Sequence, residues 1–209
     1  IPKEEIGVVM DEVGFPECLT PTQIGLIMKD SFNNWDSSLY SQYLQTFHLP
    51  EKKEFGQFSK GMKMKLGIAV ALSHHPKLLI LDEATSGLDP VVRDEILDIF
   101  NDFTRDESHA ILISSHIVSD LEKICDYIAF LHKGKLVLYE EKDRLLEEYG
   151  IIQCTKEQLQ ELDPSAIIGV KQTSYNTEAV ILRDQIPEGF SVQPVSIEDL
   201  FIFMIKEAH

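Results

Sequence analysis

Leu78-Leu79-Ile80-Leu81 runs straight into Asp82-Glu83, and this junction restricts the fold of the chain more tightly than any other stretch. Unbroken apolar residues fit a strand buried on both faces, as in a parallel sheet, because a strand with one wet face alternates. An apolar run ending in two adjacent carboxylates is how such a strand delivers acid groups to a phosphate site. Asp82, at the mouth of the strand, is placed to hold a magnesium ion, usually through water; Glu83 is placed to orient and deprotonate an attacking water. A buried strand that ends in a solvated acidic turn is the plainer alternative. Ser86-Gly87-Leu88-Asp89 follows as a turn, and Pro90 suits the first position of a helix with apolar Val92, Ile96, Ile99, Phe100 and Phe103 on one side.

Two further segments carry chemistry. Ser59 precedes Lys60, Gly61 and the periodic Met62, Leu66, Ala69, Val70 and Ser73, which reads as an N-cap before an amphipathic helix. Free N–H groups, the positive end of the helix dipole and a close-approaching Gly61 suit a terminal phosphate, and Lys60 adds a full charge. An ordinary capped helix has the same pattern. Ile111-Leu112-Ile113-Ser114-Ser115-His116 forms the end of a second buried-strand pattern, with an imidazole at its exit.

In order and spacing these elements resemble the second half of the nucleotide-binding domain of an ABC transporter. The signature motif falls at Ser59 to Met62, Walker B at Leu78 to Glu83, the D-loop at Ser86 to Asp89 and the switch histidine at His116. The Ser-Lys-Gly-Met form departs from the common Leu-Ser-Gly-Gly-Gln and resembles a subgroup of bacterial exporters. Asp11 stands where the family's Q-loop glutamine would be. The resemblance implies an α/β fold: a partial P-loop NTPase core with a parallel sheet, a helical subdomain and a small C-terminal α+β appendage. Two subunits of the family meet head to tail, as a homodimer or a heterodimer, around ATP and Mg²⁺, so Ser59, Lys60, Gly61 and Met62 would touch the nucleotide of the opposite subunit. Asp82 would position the metal, Glu83 would act as base, His116 would hold the γ-phosphate, Asp89 would sit at the dimer seam and Asp11 would be near the nucleotide. A transmembrane permease subunit would be the partner, holding the protein at the cytoplasmic face of the membrane. The implied activity is ATP hydrolysis coupled to transport; a soluble ABC-type ATPase of translation or DNA repair and a non-catalytic interaction module are the alternatives.

No Gly-x-x-x-x-Gly-Lys-Ser/Thr occurs in the 209 residues, so the loop that cradles the β- and γ-phosphates is not among them. The chain also starts at Ile1 without methionine, and the expectation is an N-terminal truncation and no ATPase activity from these residues alone. In that case the strand feeding the phosphate loop would lie beside the Walker B strand, and its absence would leave an open sheet edge.

A formal net charge of -16 opposes attraction to nucleic acid. The longest apolar runs are too short to cross a bilayer. Cys18, Cys125 and Cys154 have no metal-type spacing and fit reduced thiols.

Along the chain, Ile6 to Met10 reads as a strand, and residues of about 20–75 form a helical subdomain with helices at Thr22 to Phe32, Ser37 to Phe47 and Lys60 to His74. Phe15, Trp35, Tyr40, Tyr43 and Phe47 fit core packing, with a groove for a membrane-subunit helix as the alternative. Residues 76–150 carry the remaining core: strands at His109 to Ser115, Tyr127 to Leu131 and Lys135 to Tyr139, a helix at Ile117 to Cys125, and a hairpin turn at Lys133-Gly134. The ABC portion thus covers 1–150, and 151–209 is the appendage, with strands at Ile151 to Cys154, Ile167 to Thr173 and Ala179 to Leu182. Asp163-Pro164 and Asn176 break them apart, and a helix capped by Ser196 runs to Lys206.

Overall fold

The computed structural model describes residues 2–172, 177–187 and 189–207. Two compact units divide the chain, Ile1–Asp120 and Leu121–His209, whereas the sequence places the boundary at 150. The difference comes from the hairpin of β4 (Tyr127–His132) and β5 (Lys135–Glu141), whose strands pair with each other alone among the described residues and not with the parallel sheet.

In the first unit a parallel sheet has the order β1 (Ile6–Val9), β2 (Leu78–Asp82), β3 (Ala110–Ser114). Val8 stands opposite Ile80, and Ile80 opposite Leu112. The central position of β2 corrects one expectation: both of its edges are bonded, so a further strand can join only at β1 or β3 and not beside the acidic strand. One face of the sheet buries Val9, Leu79 and Leu81. Here α3 (Lys60–Leu72) lies so close that a Cβ on Gly7 would meet the Ala71 carbonyl oxygen at 3.1 Å and Leu79 Cδ2 at 2.7 Å. The unbroken burial of Leu66 to Leu72 shows why this helix is apolar nearly all round. On the opposite face Val8 and Leu112 are 52% and 62% exposed.

Local chemistry starts the first two helices. Thr20 and Gln23 form a reciprocal capping box for α1 (Pro21–Ser31), and Asp36 accepts from the Ser38 and Leu39 amides at the start of α2 (Ser37–Thr46). The aromatic residues are packed: the Tyr40 hydroxyl donates to the Pro21 carbonyl at 2.9 Å, and ring pairs join Trp35 to Tyr40, Tyr43 to Phe47 and Phe15 to Phe55. Helix α4 (Pro90–Phe103) follows β2 and buries Ile96, Leu97 and Phe100. Helix α5 (Val118–Ile124) carries the chain into the second unit.

In that unit Lys133 and Gly134 take φ of 47° and 74°, the left-handed pair that a two-residue hairpin turn requires. After α6 (Lys142–Glu148) comes an antiparallel sheet of order β7 (Ile167–Gln172), β8 (Thr177–Leu182), β6 (Tyr149–Cys154), β9 (Val192–Gln193). Its core gathers Ile152, Cys154, Leu162, Ala179 and Ile181. Helix α7 (Lys156–Gln160) sits between β6 and β7, and α8 (Ile197–Glu207) begins where Ser196 and Asp199 exchange side-chain to backbone hydrogen bonds. Thr173 and Asn176 lie outside the described residues. Among the described residues no helix is long and apolar enough to cross a membrane.

Two outcomes follow from the first unit. Gly7→Val should destabilise the fold by about 1–3 kcal/mol, because backbone and side chain both stand in the way of its new atoms; urea denaturation measures this. His74 is buried, stacked on Phe32 with ring centroids 4.2 Å apart, and its Nδ1–H donates to the Glu4 carbonyl at 3.1 Å. Burial holds its pKa below the ordinary 6.5, so the unfolded chain binds a proton that the folded one refuses. Stability should therefore fall as pH drops below 6.5, and His74→Gln should flatten that slope in denaturation midpoints measured across pH.

Candidate nucleotide site

Parallel pairing sets Asp82 opposite Ser114 at the ends of β2 and β3. The Ser114 hydroxyl donates to Asp82 Oδ1 at 2.6 Å, and one residue further the Glu83 amide donates to the Ser114 carbonyl at 3.0 Å. Glu83 then adopts φ of 50°, a left-handed conformation uncommon outside glycine, which turns the chain out of the strand direction. Its carboxylate lies 2.6 Å from His116 Nδ1. A carboxylate can only accept, so Nδ1 carries the hydrogen and the other ring nitrogen is left to face outward. The imidazole is 67% exposed and the carboxylate 29%, which places the pair at the surface with its acid partly sheltered.

The remaining predicted residues, Asp89 apart, gather around the start of α3. Ser59 accepts from the Met62 amide at 3.3 Å as the expected cap, and Gly61 lies against the Val92 side chain. Lys60 donates to Asp11 Oδ1 at 2.8 Å, so the loop acid after β1 is paired with the first residue of α3. A Cβ on Gly87, itself at φ of 66°, would come within 3.3 Å of Lys60 Nζ. Lys60 therefore touches both the loop after β1 and the turn after β2. Asp11, Lys60, Lys63 and Met64 line part of a cleft of about 360 Å³. Asp89 uses one carboxylate oxygen to cap α4, accepting from the Val91 and Val92 amides at 3.2 and 3.1 Å.

All but one of the residues singled out by sequence thus fall into two groups: Asp82, Glu83 and His116 at the strand ends, and Ser59, Lys60, Gly61, Met62 and Asp11 at the helix start; Asp89 belongs to neither and caps α4. The turn through Gly87 connects the two groups. Ser114 belongs with the first group, although the sequence marks it only as the end of a strand; its place opposite Asp82 depends on register, which sequence alone does not state. Among the described residues no group of three or more His, Cys, Asp or Glu side chains could hold a metal ion. Asp82 and the Ser114 hydroxyl are hard oxygen donors, however, and suit a Mg²⁺ ion that keeps several waters and completes its shell with phosphate oxygens.

The ABC transporter family model matches residues 1–86. Residues 1–86 belong to an ABC transporter ATP-binding domain. The lantibiotic transport ATP-binding protein SrtF of Streptococcus pyogenes is 48% identical over 93 residues, which is 44% of this chain and 40% of SrtF. The bacitracin transport ATP-binding protein BcrA of Bacillus licheniformis is 38% identical over 134 residues, 63% of this chain and 44% of BcrA. These alignments span less than half the length of either relative. A solved ATP-binding subunit of an ABC transporter superposes with a TM-score of 0.61 at 26% identity, covering 68% of this chain and 61% of that one. The mixed α/β architecture with its parallel sheet is thus that of ABC ATPases.

In this ABC domain the Lys60–Asp11 pair is half open to solvent, with side chains 45% and 43% exposed, and solvent screening keeps such pairs weak. Lys60→Met should cost about 1 kcal/mol or less in chemical denaturation. A larger loss would mean that the lysine holds the two loops together.

Proposed function

We propose that the chain is part of the ATP-binding and ATP-hydrolysing subunit of a bacterial ABC exporter that drives transport through a separate membrane permease. The observation that carries this reading is the 2.6 Å contact between Glu83 and His116, set directly beside the Asp82–Ser114 pair. One oxygen-rich strand end and one imidazole thereby meet, which supports assigning this place to a terminal phosphate and an attacking water. The names of SrtF and BcrA, both transport ATP-binding proteins, support the transport half of the reading.

In this mechanism Glu83 accepts the proton of the water as it attacks the γ-phosphorus, and the bond from that phosphorus to the β–γ bridging oxygen breaks so that ADP leaves with that oxygen and phosphate is released. His116 is anchored to Glu83 through Nδ1 and presents its outer nitrogen to the phosphate, and Asp82 with Ser114 would hold Mg²⁺. The metal would supply charge neutralisation on the phosphate oxygens; the chain supplies position, which is most of what phosphoryl transfer asks of a protein. Ser59, Lys60, Gly61 and Met62 would complete the site of a second ATPase subunit in a head-to-tail homodimer or heterodimer, with the N-terminus of α3 and the Lys60 charge facing that subunit's nucleotide. Asp89 would lie at the seam of the dimer. Asp11, already bonded to Lys60, would link the loop after β1 to the signature helix. Attachment to a permease would hold the protein on the cytoplasmic face of the membrane.

In the protein as its gene encodes it, Glu83→Gln should slow ATP hydrolysis by roughly two to four orders of magnitude, the loss expected when a general base is removed. ATP affinity should stay within a few fold, read by fluorescent-nucleotide binding beside a phosphate-release assay. Turnover equal to wild type would remove Glu83 from the mechanism.

A further inference from the structure

Asp120 is a carboxylate with no solvent exposure, four residues past His116 on the first turn of α5. Its Oδ2 accepts from the hydroxyl of Thr85, which is also fully buried and stands two residues past Glu83, at 2.7 Å. Its Oδ1 accepts from Arg93 Nε at 2.6 Å and is also paired with Arg93 Nη2. The same Nη2 donates to the Ser119 hydroxyl at 2.8 Å. One carboxylate thereby ties the turn after β2, the first turn of α4 and the segment after His116. None of these residues belongs to the groups facing the cleft or the strand ends.

A buried charge tolerates little movement of its partners, because any shift leaves it unpaired where no water can replace them. Apolar residues could fill the same space, but they would let the two loops slide against each other. Glu83 and His116 stand on separate loops and must stay within hydrogen-bond distance, and Asp120 joins those loops from behind. Resting on the hydrolytic reading of Glu83 and His116, we infer that Asp120, through Thr85 and Arg93, is a positioning residue that sets the geometry of this pair.

The test compares Thr85→Val and Asp120→Asn with wild type in the gene-encoded protein. Thr85→Val removes one hydroxyl while Arg93 still pairs with Asp120, so it carries the test even if Asp120→Asn fails to fold. Its kcat should fall about tenfold with KM for ATP within about twofold, since displaced catalytic groups lose rate before binding. In a His116→Ala background the same substitution should change kcat less than about twofold, because the pair to be positioned is already broken. A full loss repeated in that background, or an unchanged kcat in the single variant, overturns the inference.

Hydrogen exchange gives a second readout that needs no nucleotide. The Glu83 amide, bonded to the Ser114 carbonyl, should exchange faster in Thr85→Val while the amides of β1 keep their rate. Equal acceleration throughout the unit, or none at Glu83, overturns the positioning role. If the wild-type protein hydrolyses no ATP, the hydrolytic reading fails, and exchange alone decides whether Asp120 holds Glu83 in place.

Discussion

The pairing register of β2 against β3 is the constraint on which the rest of the first unit depends. Asp82 meets Ser114 because Leu79 meets Ile111 and every following pair keeps step. A slip of one residue would turn each side chain to the other face of the sheet and send the acid away from the serine. The register is secured by burial, since Leu79 and Leu81 are lodged under the helix layer and cannot trade places with their neighbours without exposing themselves. Packing thereby fixes the position of a polar group several residues away. Glu83 adds a left-handed backbone to this framework, a strained conformation paired with a hydrogen-bonded carboxylate, as is common where chemistry takes place.

The two faces of the parallel sheet differ sharply. One is sealed by α3 at a distance that only glycine at position 7 permits; the other leaves Val8 and Leu112 in solvent. Parallel strands are ordinarily covered on both sides, and these apolar side chains are the feature of the unit least like a finished core. At the start of α3 Lys60 joins Asp11 and lies against Gly87, so this helix start touches the loops that follow β1 and β2.

Much of the local structure was legible in the residues. Hydrophobic runs located all three parallel strands, and Ser59, Pro90 and Ser196 marked helix starts through backbone chemistry that acts over a few positions. Elements shorter than two helical turns, such as α6 and α7, carry too few residues for a period to emerge. Spatial order was not legible: nothing in Leu78 to Leu81 says that both edges of the strand are already bonded. At the candidate site the chemically distinctive residues could be named, but the hydrogen bonds that arrange them could not. Ser114 and Asp120 look like ordinary polar residues at a strand end and on a helix, and their partners lie 32 and 35 positions away, respectively.

A structure of the gene-encoded protein with Mg²⁺ and a slowly hydrolysed ATP analogue measures directly whether the strand ends form the hydrolytic site. The expected density has a γ-phosphate oxygen within hydrogen-bond distance of His116, a water held by the Glu83 carboxylate in line with the γ-phosphorus, and the metal on the Asp82 side. A triphosphate bound elsewhere, with Glu83 and His116 bonded only to each other and to solvent, would contradict it.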